Sequence, residues 1–274
     1  SDWYREPSSF VAEGKDFQDY MFGPREGFEG RRMLTSEKGQ LDSSGLASTA
    51  QFSGEEAIQG KPYVYQVETT VTDSGGQAIS STGKMVVHPA SFYIGLSQPQ
   101  DVKGFPKKNE NLTFDFALVT PESQLAEESL FPKSSKEAVI SVELLRENWA
   151  LLREMNSRGQ LINRYNKEMV REYTGTVKLT QTGSITVKPP QGGVYLLRLT
   201  SQDSQGRVVV TERSFYVSGS DWSYYHGESQ QINLIPDKEL YQVEDTAQIM
   251  VQSPLPKGQY LVTIEREGIF SQEV

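Results

Sequence analysis

The chain contains no cysteine and only two histidines among its 274 residues. The lack of cysteine excludes disulfides, thiolate metal sites and a cysteine nucleophile. No run approaches the ~20 apolar residues that a membrane helix needs, and the start, SDWYREPSSF, lacks the charged and apolar regions of a signal peptide. Direct membrane insertion is therefore not expected. Lys and Arg number 27 against 36 Asp and Glu and form no stripe, so nucleic acid is a poor partner.

Sequence motifs for catalysis are also missing. There is no G-x-S-x-G elbow, no G-x-G-x-x-G and no G-x-x-x-x-G-K-[ST], so hydrolase chemistry and nucleotide binding have no starting point. Glu55 with Glu56 and Glu127 with Glu128 are sequence neighbours whose side chains point in different directions, which makes poor acid and base partners. We expect no enzymatic activity, no cofactor and no catalytic residue.

Two further candidates favour structural roles over binding. His88 and His226 have no His or Cys at ligand spacing, so we interpret them as junction residues and expect no metal site. Trp222, Tyr224 and Tyr225 could stack on a sugar, because aromatic rings with a polar handle suit such ligands. The alternative is that these rings cover an interface between domains, and we favour it.

A self-match at an offset of about 130 residues organises the chain. Residues 63–87, YVYQVETTVTDSGGQAISSTGKMVV, align without a gap on residues 193–217, GVYLLRLTSQDSQGRVVVTERSFYV. Each copy alternates apolar residues on both sides of a DSGGQ or DSQGR turn, a pattern that predicts a β-hairpin. The two hairpins predict two successive β-sandwiches.

Flanking segments extend the repeat. SFYIGL at 91–96 and LTFDFALV at 112–119 have counterparts in INLIPDKELY at 232–241 and AQIMVQS at 247–253. A third domain therefore begins after Gly219, and we expect it to be incomplete, because no third closing hairpin follows. Residues 137–173 contain many helix formers, but the alternation in AVISVELL and the SRGQ break near Gly159 favour strands. Helix stays an open alternative there.

The run IPDKELYQVEDTAQIMVQSPLPKGQYLVTIEREG, residues 235–268, resembles the opening of the bait-region domain in bacterial alpha-2-macroglobulins. The usual glycine of the family's KPGDT turn is replaced by Glu244, which puts the turn geometry in question. Residues 192–219 and 86–96 are similar to the domains that precede it. The matching residues of the run are Asp237, Lys238, Tyr241, Asp245, Thr246, Gln252, Ser253, Pro254, Glu265, Arg266, Glu267 and Gly268.

The resemblance implies an all-β fold of tandem immunoglobulin-like, macroglobulin-type antiparallel sandwiches. We expect one over 1–90, with the option that its first strand is missing, one over 91–219, and linker plus opening strands of a bait-region-type domain over 220–274. It also implies a scaffold within a bacterial protease-trapping protein, with proteases as partners of the bait region and the neighbouring domains of the same chain as direct partners. A periplasmic, cell-surface or secreted location follows, with a lipid anchor conceivable in the parent. The alternative is a tandem Ig-like adhesin or carbohydrate-binding arm of a surface protein.

Overall fold

A computed structural model describes the protein except for residues 26–29, 49–59, 101, 103, 135–137, 156, 220–231, 238–240, 253–258, 260, 266–268 and 274. Regular structure in the described residues is nearly all β, with short 3-10 turns at Lys15–Phe17 and Glu128–Leu130. The strands are β1 (Asp2–Pro7), β2 (Met21–Phe22), β3 (Arg32–Ser36), β4 (Tyr63–Thr72), β5 (Ala78–Val87), β6 (Tyr93–Pro99), β7 (Leu112–Val119), β8 (Val139–Met155), β9 (Leu161–Lys178), β10 (Thr182–Val187), β11 (Gly193–Gln202), β12 (Val208–Val217), β13 (Asn233–Pro236), β14 (Ile249–Gln252), β15 (Val262–Glu265) and β16 (Ile269–Glu273). The all-β fold class is confirmed.

Two antiparallel sheets, β10-β7-β6-β2 and β12-β11-β8-β9, face each other and form a sandwich. Their inward side chains make one apolar core, because alternate residues of each strand point to the same face of a sheet. Leu112, Phe114, Phe116 and Leu118 show this alternation on β7, and each is 2% exposed or less. These alternating apolar residues of LTFDFALV thus form the inner face of a sandwich wall.

The first sheet, β3-β1-β4-β5, repeats one wall of the sandwich. Its order matches β9-β8-β11-β12 strand for strand. Arg5 pairs with Tyr65, and Arg146 pairs with Tyr195, the residue that aligns with Tyr65 in the sequence repeat. The repeat therefore extends beyond the hairpins to the two strands that precede them in each copy.

The two walls share an irregularity as well. The register shifts between Trp3 and Tyr4 where β1 pairs with β3, and between Leu144 and Leu145 where β8 pairs with β9. In both strands the shift ends one residue before the paired arginine. A β-bulge of this kind increases local twist, so both walls bend at the same level.

The two predicted hairpins are confirmed, since β4 pairs with β5 and β11 pairs with β12. The amide of Asp73 donates to the carbonyl of Gln77, and the amide of Asp203 donates to that of Arg207. The turn glycines, Gly76 and Gly206, have φ of 83° and 76°, which glycine adopts without a Cβ clash.

Within residues 137–173, where the sequence favours strands with helix as the alternative, the structure shows the strands β8 and β9. β8 and β9 pair from Val139↔Lys178 to Met155↔Leu161, and Gly159 takes φ of 75° in the turn between them. β11 pairs with β8 only from Ser141 to Arg146. Beyond that point the two strands continue as a two-stranded projection, and we call residues 149–167 the ribbon.

The C-terminal part, residues 232–274, is called the third segment. Its described strands pair as β13 with β14 and β15 with β16. Side chains such as Leu234, Ile249 and Ile264 are more than half exposed. Within the described ranges of the chain, no helix has the length and apolar character needed to cross a membrane. The domain boundaries at residues 90 and 219 stay predictions.

Candidate functional site

The best-built candidate is a seam where residues 8–25, here called the seam segment, leave the first sheet and lie on the sandwich. Its strand β2 pairs with β6 through Met21↔Leu96 and Phe22↔Gly95. A Cβ on Gly95 would come within 2.7 Å of the Phe22 ring, so glycine is what lets the ring approach the strand this closely. The seam segment thereby supplies the outermost strand of a sandwich wall.

An aromatic cluster fastens the start of the seam segment. The Phe10 ring stacks on Tyr93 with 4.0 Å between centroids, and its edge meets Phe22 at 5.1 Å. Tyr93 is fully buried at the start of β6. Aromatic pairs in such geometries contribute about 0.5–1.5 kcal/mol each beyond area burial, so the cluster is a substantial part of the seam's stability.

Thr211 and Glu212 on β12 hold the end of the seam segment through its backbone. The Gly23 amide donates to Thr211 Oγ1 at 3.1 Å, and the Glu212 amide donates to the Gly23 carbonyl at 3.1 Å. The Arg25 amide donates to Glu212 Oε2 at 3.0 Å, and Arg198 Nε donates to Glu212 Oε1 at 2.6 Å. Both carboxylate oxygens of this buried residue are therefore satisfied, as a buried charge requires.

Arg213, the next residue on β12, crosses to the same segment. Its Nη1 donates to the Leu96 carbonyl at 2.8 Å and to the Asp19 carbonyl at 3.4 Å. Leu96 belongs to β6 and Asp19 to the seam segment, so one buried guanidinium joins two segments far apart in the sequence. Such long-range polar contacts fix orientation more sharply than apolar packing does.

His88 lies between β5 and β6, close to the domain boundary that the sequence predicts at residue 90. Its Nδ1 shares a hydrogen bond of 2.8 Å with the Tyr93 hydroxyl, and the imidazole meets Phe10 edge-on. Burial lowers the pKa of His88, although the carboxylate of Glu122 opposes the shift. Burial also raises the pKa of Tyr93, so at neutral pH a protonated hydroxyl faces a neutral imidazole. An open cleft beside the ring is bordered by Ser8, Phe10, Glu13, Glu122 and Ser123.

Asp203 joins the second hairpin turn to the start of the sandwich. Its carboxylate accepts from the Ser91 amide and hydroxyl, from the Gln205 and Arg207 amides, and from Arg207 Nε. Burial raises the pKa of this carboxyl, but the Arg207 side chain and the three amides together bring it below its ordinary value. The corresponding Asp73 is exposed and has one described side-chain hydrogen bond, from the Gln77 amide at 2.9 Å.

The other sequence candidates lie apart from the seam. Glu127 and Glu128 are exposed at the start of a 3-10 turn. The remaining candidates fall outside the described residues: Glu55, Glu56, Trp222, Tyr224, Tyr225 and His226. Among the residues that the structure describes, no three His, Cys, Asp or Glu side chains are grouped as metal ligands. Sequence reasoning missed the seam, although adjacent charges in the otherwise alternating strand VVVTERSFYV were a usable signal.

The family-like run holds structural contacts of its own. Asp237 Oδ1 accepts from the Tyr241 hydroxyl at 2.6 Å and from the Gln248 amide at 2.9 Å. Glu244, at the position of the family's glycine, has φ of 77°, so the turn keeps a conformation that favours glycine. Of the other matching residues, Lys238, Ser253, Pro254, Arg266, Glu267 and Gly268 lie outside the described residues.

Comparisons with known proteins bear on this architecture. No protein-family model matches the chain. An "Alpha-2-macroglobulin homolog" from Nostoc sp. is 20% identical over 284 aligned residues, covering 98% of this chain and 14% of the relative. This match confirms the resemblance to bacterial alpha-2-macroglobulins, and the chain spans about a seventh of that relative's length.

Solved structures with similar folds include a Salmonella alpha-2-macroglobulin reacted with methylamine and the native conformation of Escherichia coli alpha-2-macroglobulin. Each has a TM-score of 0.49 and 17% identity, covering 99% of this chain and 17% of the other.

Proposed function

We propose that this chain, a relative of the bacterial alpha-2-macroglobulins, is a structural scaffold that positions the bait region of a protease-trapping protein. The seam is the observation that carries the proposal. A scaffold must hold consecutive units in a fixed relative orientation, and linkers without a large interface leave such units free to move. Here the seam segment adds a strand to the following sandwich and is held there by Glu212 and Arg213.

Rigid coupling gives the seam a role in trapping. If a protease cuts the bait region, the stored arrangement of the domains changes, and a rigid frame is needed for that change to move distant parts together. The chain itself would carry no chemistry in this scheme. Its partners would be the neighbouring domains directly and proteases through the bait region, in a periplasmic, cell-surface or secreted setting. The sequence match over 98% of the chain favours this reading over an adhesin arm.

The test uses the longest natural polypeptide that contains this chain, treated with several proteases. We expect a first cut on the C-terminal side of β12, followed by a change in migration on a native gel. A protein that stays uncut and unchanged in migration with every protease would refute the proposal.

A seam variant separates scaffolding from bait cleavage. Phe10→Ala combined with Arg213→Met should be cut at the same site and rate but should retain less protease, because the frame no longer moves as one body. Lys84→Ala on the exposed strand β5 is the matched control and should trap like the wild type. Equal retention by the seam variant and the control would exclude a scaffold role for the seam.

A further inference from the structure

The ribbon projects past the end of the sandwich at which the chain leaves it. On β11, Tyr195 pairs with Arg146 of β8. Gly193, two residues before Tyr195, pairs with Val217, the last residue of β12 on the other side of β11. Residues from Trp149 onward therefore lie beyond the level of Val217. At roughly 3.3 Å per residue, the seven residues from Trp149 to Met155 reach on the order of 23 Å further.

The third segment lies at the same end of the sandwich. The loop after β6 contacts the exit of β12, because the Lys108 amide donates to the Ser218 carbonyl at 3.1 Å. The same loop contains Gly104, and Gln248 of the third segment lies against it. A Cβ on Gly104 would clash with the side-chain amide of Gln248. The ribbon therefore projects toward the region occupied by the third segment.

The first copy shows what a connection at this place in the repeat does. β1 and β3 correspond to β8 and β9. Residues 8–31 connect β1 to β3, and the ribbon, which consists of the distal ends of β8 and β9 with their turn, takes the corresponding place in the second copy. In the first copy that connection crosses to the next unit and pairs β2 with β6. If the second copy behaves alike, the ribbon reaches the unit that follows it, the third segment.

Charge and apolar surface are complementary between the two parts. Residues 149–167 carry four basic side chains and one acidic side chain, whereas residues 232–274 carry three basic and seven acidic ones. This contrast of about +3 against −4 occurs within a chain whose formal net charge is −9. Both parts also expose apolar side chains, Met155 and Leu161 on the ribbon and Leu234 and Leu261 on the third segment, each at least 58% exposed.

We propose that the ribbon is a clamp that lies along the third segment of the same chain and fixes its orientation on the sandwich. Opposite charges select the partner, and burial of the ribbon's apolar side chains holds it. The contact does not depend on protease trapping, so it stands or falls separately from the proposed function.

Site-specific photocrosslinking tests the clamp directly, because the absence of cysteine makes a single introduced thiol unique. Met155→Cys on the ribbon, labelled with benzophenone maleimide in the 274-residue chain, should give intramolecular crosslinks to peptides from residues 232–274. Ile79→Cys on β5 is the matched control, since Ile79 is 78% exposed and Met155 71%, and it should give none there. Absence of crosslinks from Met155→Cys to residues 232–274 would overturn the clamp.

Charge reversal supplies a second readout. Arg153→Glu with Arg158→Glu should speed amide exchange in β13 and β14 by roughly tenfold while β11 and β12 stay protected. Lys84→Glu, a single charge reversal on the exposed strand β5, is the control and should leave exchange in β13 and β14 unaltered. Equal exchange in all three proteins would refute the clamp. Crosslinks found only in a dimer band would also refute it, because the occupant would then be a second copy.

Discussion

Replacing Asp203 by asparagine tests how strongly the second hairpin turn holds the start of the sandwich. Asp203 is 1% exposed, and its Oδ2 accepts from the Ser91 amide at 3.0 Å and from Arg207 Nε at 2.7 Å. In the asparagine variant an amide NH2 group replaces Oδ2 and faces these donors. The substitution keeps the shape of the side chain and removes its charge.

The expected loss follows from these contacts. A hydrogen bond to a charged group contributes about 1.5–3 kcal/mol, and a buried donor left without a partner costs about 1–3 kcal/mol. Arg207 is partly exposed and recovers part of its loss by hydration. We therefore expect Asp203→Asn to lower the free energy of unfolding by about 3 kcal/mol. Asp73→Asn is the matched control, and because its turn is exposed it should cost about 0.5 kcal/mol or less.

Urea unfolding of the 274-residue chain, followed by circular dichroism and fluorescence, measures both variants. The midpoint should fall clearly for Asp203→Asn and barely for Asp73→Asn, at unchanged slope. Equal losses in the two variants, or a loss below about 1 kcal/mol for Asp203→Asn, would mean that the Ser91 and Arg207 contacts contribute little.

Other predictions concern the junction, the family-like turn and the seam. Stability should fall as the pH drops below about 6.5, because the pKa of His88 is lowered in the folded protein and the unfolded chain therefore takes up the proton first. In thermal melts from pH 7.5 to 5, the melting temperature should depend less on pH for His88→Gln than for the wild type. The same pH dependence in both proteins would contradict this. Glu244→Gly should slow exchange of amides in its turn and stabilise by about 1 kcal/mol, because it relieves a left-handed φ, whereas Val243→Gly next to it should destabilise. Arg213→Met should lower the free energy of unfolding by about 2–3 kcal/mol, because the Leu96 and Asp19 carbonyls lose their donor. The seam segment should then be cut in limited proteolysis, and an unchanged cleavage pattern would count against the seam.

Local sequence patterns predicted the hairpins well because their determinants are local. The Asp and Gly of each turn lie three residues apart, and alternation sets the register of the strands on either side. The same alternation in AVISVELL favoured strands over helix within residues 137–173, where the structure shows β8 and β9. The sequence marks Glu244 as unusual for its turn, and the structure gives it a φ of 77°, a conformation that favours glycine.

The seam could not be predicted in the same way because its determinants are distant. Asp19 and Arg213 are 194 residues apart in the sequence, and β2 is only two residues long, too short for any periodic signal. The bulge and the paired arginines likewise repeat at an offset of 141 residues between Arg5 and Arg146, not at the 130 of the hairpins. An insertion between the strands broke the sequence self-match there, and only the pairing pattern reveals the equivalence.

The seam segment supplies β2 to the sandwich, so the sandwich includes residues that precede it in the chain. A polypeptide started at residue 90 would lack β2 and would leave the outer edge of β6 open to pairing with other molecules. Recombination that moves one unit without the tail of its predecessor would carry the same defect. The sandwich of this chain is therefore complete only when the segment before it is present.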